Sequence, residues 1–132
     1  MKKARPRVQP TNLSQPFWTA IGQRQLLLQY DPVARRCQFY PRPLSLFGTA
    51  GALEWRPSSG RGKLVAQTLC HVPAPGFEDE VPYLLGIIQL EEGPRIFARI
   101  VNAGTGGIAV GQRMRLAWDE SSADRMYRFE PD

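Results

Sequence analysis

The amino-acid sequence predicts an all-β fold, and three observations lead to this prediction. Twelve prolines and twelve glycines in 132 residues favour short strands and tight turns over long helices. Two apolar runs, residues 63–72 and 81–90, flank a loop at 73–80 whose prolines and glycine cannot lie inside a β-ladder. Three further runs of strand-forming residues follow, at 94–101, 113–118 and 126–130. Five strands are the count of a partly open OB-fold barrel, which we place at residues 59–132.

Alternation of side chains along a strand gives the expected faces of this hairpin. Leu64 and Ala66 should share one face of the first run, with Val65 and Gln67 on the other. The second run is almost wholly apolar, as expected of a strand that is covered on both sides. The third strand places three apolar residues on one face, namely Ile96, Ala98 and Ile100.

The segment before the barrel divides into a basic arm and a small module. Residues 1–15 combine four Lys/Arg with two prolines and few apolar residues, which predicts a flexible arm. A nucleic-acid role would need aromatic residues between these charges, so we favour a solubilising or partner-contacting tail. Pro16 in a first turn and a stop at Gly22 predict a short helix. Its apolar face is formed by Phe17, Ala20 and Ile21, with Trp18 beside it.

The distribution of charged and apolar residues indicates which partners and which cellular location are expected. Residues 1–63 carry 11 Lys/Arg and 2 Asp/Glu (+9), whereas residues 64–132 carry 6 and 10 (−4), which together give the net charge of +5. The basic half suits an anionic partner, although a basic tail and ordinary solvated arginines explain it equally well. No apolar run approaches the length that spans a bilayer, and no apolar stretch of a secretory signal follows the basic start. We therefore expect a cytoplasmic protein without membrane contact.

An ordered set of short motifs resembles one known family. The motif S-G-R-G at residues 59–62 opens the first barrel strand, and P-A-P-G-F-E-D-E-V-P-Y at residues 73–83 leads into the second. Over about residues 16–130 the chain resembles the acyl-CoA-associated zinc-ribbon/OB-fold family, known as domain of unknown function thirty-five. The resemblance implies an N-terminal helix and a rubredoxin-like zinc ribbon at residues 16–58, built on a strand pair with two knuckle-like turns.

The ribbon of this chain lacks the metal ligands of the family. Its flanks match at L-L-L-Q, P-R-P and L-E-W, but the four positions of the paired cysteines hold Asp31, Ala34, Ser45 and Gly48. Structural zinc requires four thiolate or imidazole ligands, so we expect no metal. We predict instead a small hydrophobic cluster in its place, formed by Leu44, Leu46, Phe47, Leu53 and Trp55.

Catalytic chemistry has little support in the sequence. His71 is the one histidine, and the adjacent Cys70 points to the opposite face of a strand, so the two cannot form a nucleophile–base pair. The acidic run at residues 78–80 is more typical of a solvated loop, or of a surface that docks a basic partner, than of a catalytic site. No dinucleotide or phosphate-loop fingerprint is present. We expect no catalytic residues and no cofactor.

A coenzyme A ester would need cations for its phosphates and an apolar slot for its acyl chain. The residues that suit these needs are Phe17, Trp18, Arg42, Arg61, Lys63, His71 and Phe77. The resemblance implies a non-catalytic accessory subunit that helps to form the CoA-ester site of a partner enzyme. That partner would be a thiolase-superfamily enzyme, including lipid-transfer-type aldolases, or a hydratase. One alternative is an independent acyl-CoA or lipid binder; another, less favoured, is an OB-fold that binds single-stranded nucleic acid.

Overall fold

The structure, a computed structural model, describes residues 3–104 and 106–132. One helix and eight strands follow one another along these residues. They are α1 (Gln15–Gly22), β1 (Leu27–Asp31), β2 (Arg36–Gln38), β3 (Glu54–Pro57), β4 (Arg61–Cys70), β5 (Tyr83–Leu90), β6 (Arg95–Ile100), β7 (Arg113–Trp118) and β8 (Tyr127–Pro131). The helix is eight residues long, and no helix among the described residues is long and apolar enough to cross a membrane.

The second half of the chain closes into a five-stranded barrel with the order β4-β5-β6-β8-β7. Adjacent strands are antiparallel except β6 and β8, which pair in parallel where Ile100 meets Phe129. The predicted all-β OB-fold barrel is therefore confirmed. The strand predicted at residues 113–118 has the observed bounds of β7, and the face formed by Ile96, Ala98 and Ile100 is buried.

A β-bulge changes the faces predicted for β4. The register with β5 shifts between Leu64 and Ala66, so Val65 is the extra residue and alternation restarts after it. Leu64 is buried as predicted, whereas Ala66 is exposed and Gln67 is half-buried. Strict alternation was therefore wrong beyond Val65, because one inserted residue moves every later side chain to the opposite face.

The first half of the chain forms a three-stranded sheet with the order β2-β1-β3. The sequence predicted only the strand pair β1 and β2. The third strand pairs with β1 through Leu28 opposite Arg56 and Gln29 opposite Trp55, and the indole of Trp55 packs against the hydrophobic core. This packing explains why a four-residue segment ending in a proline is a stable edge strand.

Helix, ribbon and barrel share one hydrophobic core. Phe17 and Ile21 of α1 and Leu28 of β1 belong to the same buried cluster as Ile88 and Phe129 of the barrel. The predicted apolar face of the helix is thus confirmed. Two loops connect the strands of the ribbon module, residues 32–35 between β1 and β2 and residues 39–53 between β2 and β3.

Candidate functional site

A buried carboxylate lies at one of the four positions that the family resemblance aligns with zinc ligands. Asp31 is fully buried at the end of β1 and accepts hydrogen bonds from the backbone amides of Val33 and Ala34 at 2.9 and 3.0 Å. Its other oxygen accepts hydrogen bonds from the hydroxyls of Ser45 and Thr49. The carboxylate therefore joins the two loops of the ribbon, as a shared metal would. The hydroxyls of Ser45 and Thr49 lower the pKa of Asp31 to about 2, so it is ionised at neutral pH.

Two buried glutamines extend this connection. The Gln38 amide donates to Gln29 Oε1 at 2.9 Å and to the Leu44 carbonyl at 3.2 Å, and its oxygen accepts from the Leu46 amide at 2.8 Å. Gln29 bonds both the amide and the carbonyl of Arg42, at 2.8 and 2.9 Å. We call Gln29, Asp31 and Gln38, which are each at most 5% exposed, the polar hub. It fixes the second ribbon loop through side chain-to-backbone hydrogen bonds.

The predicted hydrophobic replacement for zinc was wrong at its main positions. Leu44 and Leu46 are 76% and 54% exposed, and Phe47 is half-buried beneath the Arg36 guanidinium, 4.1 Å from the ring centroid. Trp55 packs on the common core. The polar hub occupies the interior of the loops instead, because only donors and acceptors can satisfy the loop amides and carbonyls there.

Zinc does not fit these residues. At the four aligned positions Asp31 is the one potential ligand, and its oxygens already accept hydrogen bonds from both loops. Within residues 3–104 and 106–132, no group of three or more His, Cys, Asp or Glu side chains is arranged to hold a metal ion. The family's metal chemistry therefore has no counterpart at this position.

An apolar cavity of about 380 Å³ lies between the loop after β4 and strand β8. Its walls are mainly the side chains of Phe77, Tyr83, Leu85, Phe97, Met126 and Tyr127. Phe97 is 58% exposed although it is a large apolar residue. Burial raises the pKa of Tyr127 to about 12, so this wall residue stays neutral at physiological pH. The site has the apolar walls and sparse polar groups of a ligand pocket.

The N-terminal segment runs along the edge of this cavity. Arg5 pairs with Glu80 and with Asp119, the latter at 3.2 Å, and its guanidinium lies 4.3 Å from the centroid of the Phe77 ring. Arg7 pairs with Asp124 at 2.9 Å. The sequence predicted a flexible arm here and did not include these contacts. Within the acidic run, Glu80 thus binds a basic segment of the chain itself.

The carboxylates beside Arg5 belong to a wider network of charges. Glu80 also accepts a hydrogen bond from Arg99 at 2.7 Å, and Asp119 pairs with Arg128. Burial alone would raise the pKa of both carboxyls, but other contacts outweigh it and lower the pKa of each. These contacts are Arg99 and Arg5 for Glu80, and the Ser121 hydroxyl and Arg128 for Asp119. Each carboxylate therefore stays ionised and bridges two arginines.

The residues predicted for ligand binding lie in several places. Phe17 is fully buried and Trp18 half-buried, in an aromatic cluster in which Trp18 Nε1 donates to the Tyr40 hydroxyl at 2.8 Å. Arg61 and Lys63 line a second hollow of about 290 Å³. Arg42 is exposed on the second ribbon loop, and His71 is exposed just after β4. Of the seven predicted residues, only Phe77 lines the larger cavity.

Sequence reasoning missed the cavity residues for a physical reason. Arg5 meets Glu80 and Asp119 across separations of 75 and 114 residues, which no local pattern reports. The excess of Lys/Arg in the first half and of Asp/Glu in the second was the available signal. Gln29 and Gln38 carried no signal, because an isolated glutamine in a strand is usually an exposed residue.

The structure combines an OB-fold barrel with a three-stranded module whose loops are joined by hydrogen bonds to buried polar side chains. Residues 55–119 match the family of the ChsH2 C-terminal OB-fold domain. The resemblance to DUF35 proteins that the motifs indicate is confirmed by this match and by the similarities that follow.

Three known proteins are similar to this chain. A DUF35 domain-containing scaffold protein of Methanocaldococcus jannaschii is 31% identical over 80 residues, which are 55% of this chain and 57% of that protein. The 3-oxo-4,17-pregnadiene-20-carboxyl-CoA hydratase alpha subunit of Mycobacterium tuberculosis is 32% identical over 88% of this chain but 37% of its own length. The match thus spans about half of the first relative and about a third of the second. A solved chain of an Ltp2-ChsH2(DUF35) aldolase superposes with a TM-score of 0.83 at 21% identity, covering 95% of this chain and 98% of that chain. This last similarity establishes the shared fold.

Proposed function

We propose that this protein is a non-catalytic accessory subunit of an acyl-CoA-processing enzyme, either a thiolase-superfamily enzyme such as a lipid-transfer-type aldolase or a hydratase. The observation that carries the proposal is the similarity of the chain to proteins named as a scaffold and as a hydratase subunit. The fold it shares with the DUF35 chain of an aldolase adds support. The subunit would help to form or stabilise the CoA-ester site of the partner.

The side chains that acyl transfer requires are not assembled here. His71 is exposed, and its imidazole has no hydrogen-bond partner among the described residues. The neighbouring Cys70 thiol is turned to the Val72 carbonyl at 3.1 Å. Nucleophilic catalysis needs a base within hydrogen-bond reach of the nucleophile and a third group that orients the base. These positions support a binding role over a catalytic one.

The ribbon end offers a surface for the partner. Val33, Leu44 and Leu46 are 68%, 76% and 54% exposed on the two ribbon loops, and we call them the knuckle surface. The polar hub is buried beneath these loops. Polar side chains are therefore inside and apolar side chains outside, which is the reverse of the usual arrangement. Exposed apolar side chains on a backbone fixed by hydrogen bonds suit a protein interface.

Exposed cations on the second ribbon loop and on β4 suit the phosphates of a CoA ester or carboxylates of the partner. The backbone of Arg42 is fixed by Gln29 while its guanidinium is exposed. Arg61 and Lys63 are exposed on β4, and Arg61 has a 3.4 Å ion pair with Asp132. Such pairs are weak at a surface, so an incoming phosphate competes with them readily.

Co-purification with the acyl-CoA enzyme encoded beside this gene tests the proposal. We expect a stable complex on size-exclusion chromatography, and no turnover of acyl-CoA esters by the lone chain. The double variant Leu44→Ser/Leu46→Ser should weaken the complex at least about tenfold, since interface anchors typically contribute more than 1 kcal/mol each. Val110→Ser is the matched control, because Val110 is 71% exposed in a loop away from the ribbon. Equal losses in both variants, or turnover by the lone chain, would contradict the proposal.

A further inference from the structure

The cavity beside β8 carries an inference that does not depend on the partner enzyme. Aromatic and aliphatic side chains form most of its wall, and Phe97 leaves more than half of its surface exposed. Strand β6 places Phe97 outside the barrel core, since its neighbours Ile96 and Ala98 are buried. A large apolar side chain at the wall of a hollow of about 380 Å³ provides room and contact area for a small apolar group.

The charges around the cavity restrict what enters it. Arg99 is paired with Glu80, Arg128 with Asp119, and Arg7 with Asp124. Arg5 is shared between Glu80 and Asp119. Every arginine of this set therefore already has a carboxylate, and an ionic group entering the cavity would have to separate an existing pair. The group that fits is uncharged.

The N-terminal segment covers the edge of the cavity through a close contact between Arg5 and Gly76. Arg5 donates from Nε to the carbonyl of Gly76 at 3.4 Å, and a β-carbon at Gly76 would lie 2.5 Å from Arg5 Cγ. Gly76 has a φ of +87°, so a glycine both adopts this turn and leaves room for the arginine. A second contact, from the Val8 amide to Asp124 at 3.0 Å, holds the segment further along.

We propose that this cavity binds an uncharged apolar group, such as an alkyl chain or a ring, and that Arg5 holds the N-terminal segment over it as a displaceable cover. Arg5 lines the cavity and contacts two other residues of its wall, Phe77 and Asp119. Its side chain is 27% exposed, and Glu80 and Asp119 each keep a second arginine, so displacement of Arg5 leaves neither carboxylate unpaired. Ligand entry and cover opening are therefore coupled.

Fluorescence titration of the whole chain with N-phenyl-1-naphthylamine, an uncharged apolar probe, tests the proposal. We expect saturable binding at one site, and an affinity raised by about fivefold in Arg5→Ala, because the probe no longer displaces the cover. Arg113→Ala removes the same charge from an exposed residue that does not line the cavity, and it should bind as the wild type does. Ala74→Trp and Leu85→Trp place bulk in the cavity, and the probe should bind each of them at least about tenfold more weakly.

Circular dichroism checks that each variant is folded, and Ala74, which is exposed, tolerates a larger side chain better than Leu85. Binding that is unchanged in a folded Ala74→Trp or Leu85→Trp variant would show that the probe lies elsewhere and overturn the site. Absence of saturable binding in the wild type and in Arg5→Ala would do the same. An affinity that is unchanged or lower in Arg5→Ala would overturn the role of Arg5 as a cover.

Discussion

Replacement of Gln38 by leucine separates the two explanations of how the ribbon is held without cysteines. The two side chains have similar volumes, so Gln38→Leu leaves no cavity but removes the hydrogen bonds to Gln29, Leu44 and Leu46. Each buried donor or acceptor that loses its partner costs about 1–3 kcal/mol. Gln29 Oε1 keeps the Arg42 amide, and the exposed position of Leu44 allows water to reach its carbonyl. We therefore expect a loss of about 2–4 kcal/mol in the free energy of unfolding.

Urea denaturation monitored by tryptophan fluorescence measures this loss. In a thermal melt of the same variant, the melting temperature should fall by roughly 10 °C. Leu46→Ala is the companion variant, and it should change stability by less than about 0.5 kcal/mol because Leu46 is 54% exposed. A hydrophobic cluster predicts the opposite order, with Gln38→Leu neutral or stabilising and Leu46→Ala costly. That order of the two variants would refute the polar hub.

Four further results are expected. Because the folded-state pKa of Asp31 is lowered to about 2, its contribution to stability is complete above about pH 4 and is lost as the pH falls toward 2. Urea denaturation should therefore show a shallower loss of stability over this range in Asp31→Asn than in the wild type; Glu80 and Asp119, whose pKa is also lowered, maintain part of the slope. Gly62→Ala should lower the free energy of unfolding by about 1–3 kcal/mol, because the added β-carbon would lie 2.3 Å from the Gln89 carbonyl oxygen. Gly106→Ala is the control, because a β-carbon there would meet no atom within 4 Å, and a thermal melt should show that it is tolerated. Elemental analysis of untagged protein should find far less than one zinc per chain, and one zinc per chain would contradict the ligand count. Reversal of charge at Arg42 and Arg61 should weaken the partner complex or its affinity for CoA esters, as measured by calorimetry.

The barrel was predictable because its strands are defined by local patterns. Apolar runs bounded by proline and glycine gave the hairpin of β4 and β5, and the alternation in β6 gave its buried face. The bulge at Val65 was not predictable, because no single residue type marks an extra residue in a strand. Strand β3 was missed because its stability comes from the packing of Trp55 on residues far away in the sequence.

The candidate sites were harder to predict than the strands, because they too depend on contacts between residues that are distant in the sequence. The motif resemblance predicts a hydrophobic cluster in place of zinc, but Leu44 and Leu46 of that cluster are exposed. Their exposure follows from the side chains of Gln29, Asp31 and Gln38, which satisfy the loop backbone and leave no room inside. Hydrogen bonds between such side chains and the loop backbone depend on three-dimensional proximity, and no fixed spacing in the sequence predicts them. The cover formed by Arg5 is a second case, since its partners are on a distant loop and beside a distant strand.

The most direct test of the accessory-subunit proposal compares the acyl-CoA enzyme encoded beside this gene with and without this chain. We expect the lone chain to show no turnover, and addition of one equivalent to stabilise the enzyme or raise its turnover of its CoA ester. The Leu44→Ser/Leu46→Ser variant should lose most of that effect, while Val110→Ser keeps it. Equal activity and stability of the enzyme in the presence and absence of the chain, with no complex detected, would contradict the proposed function.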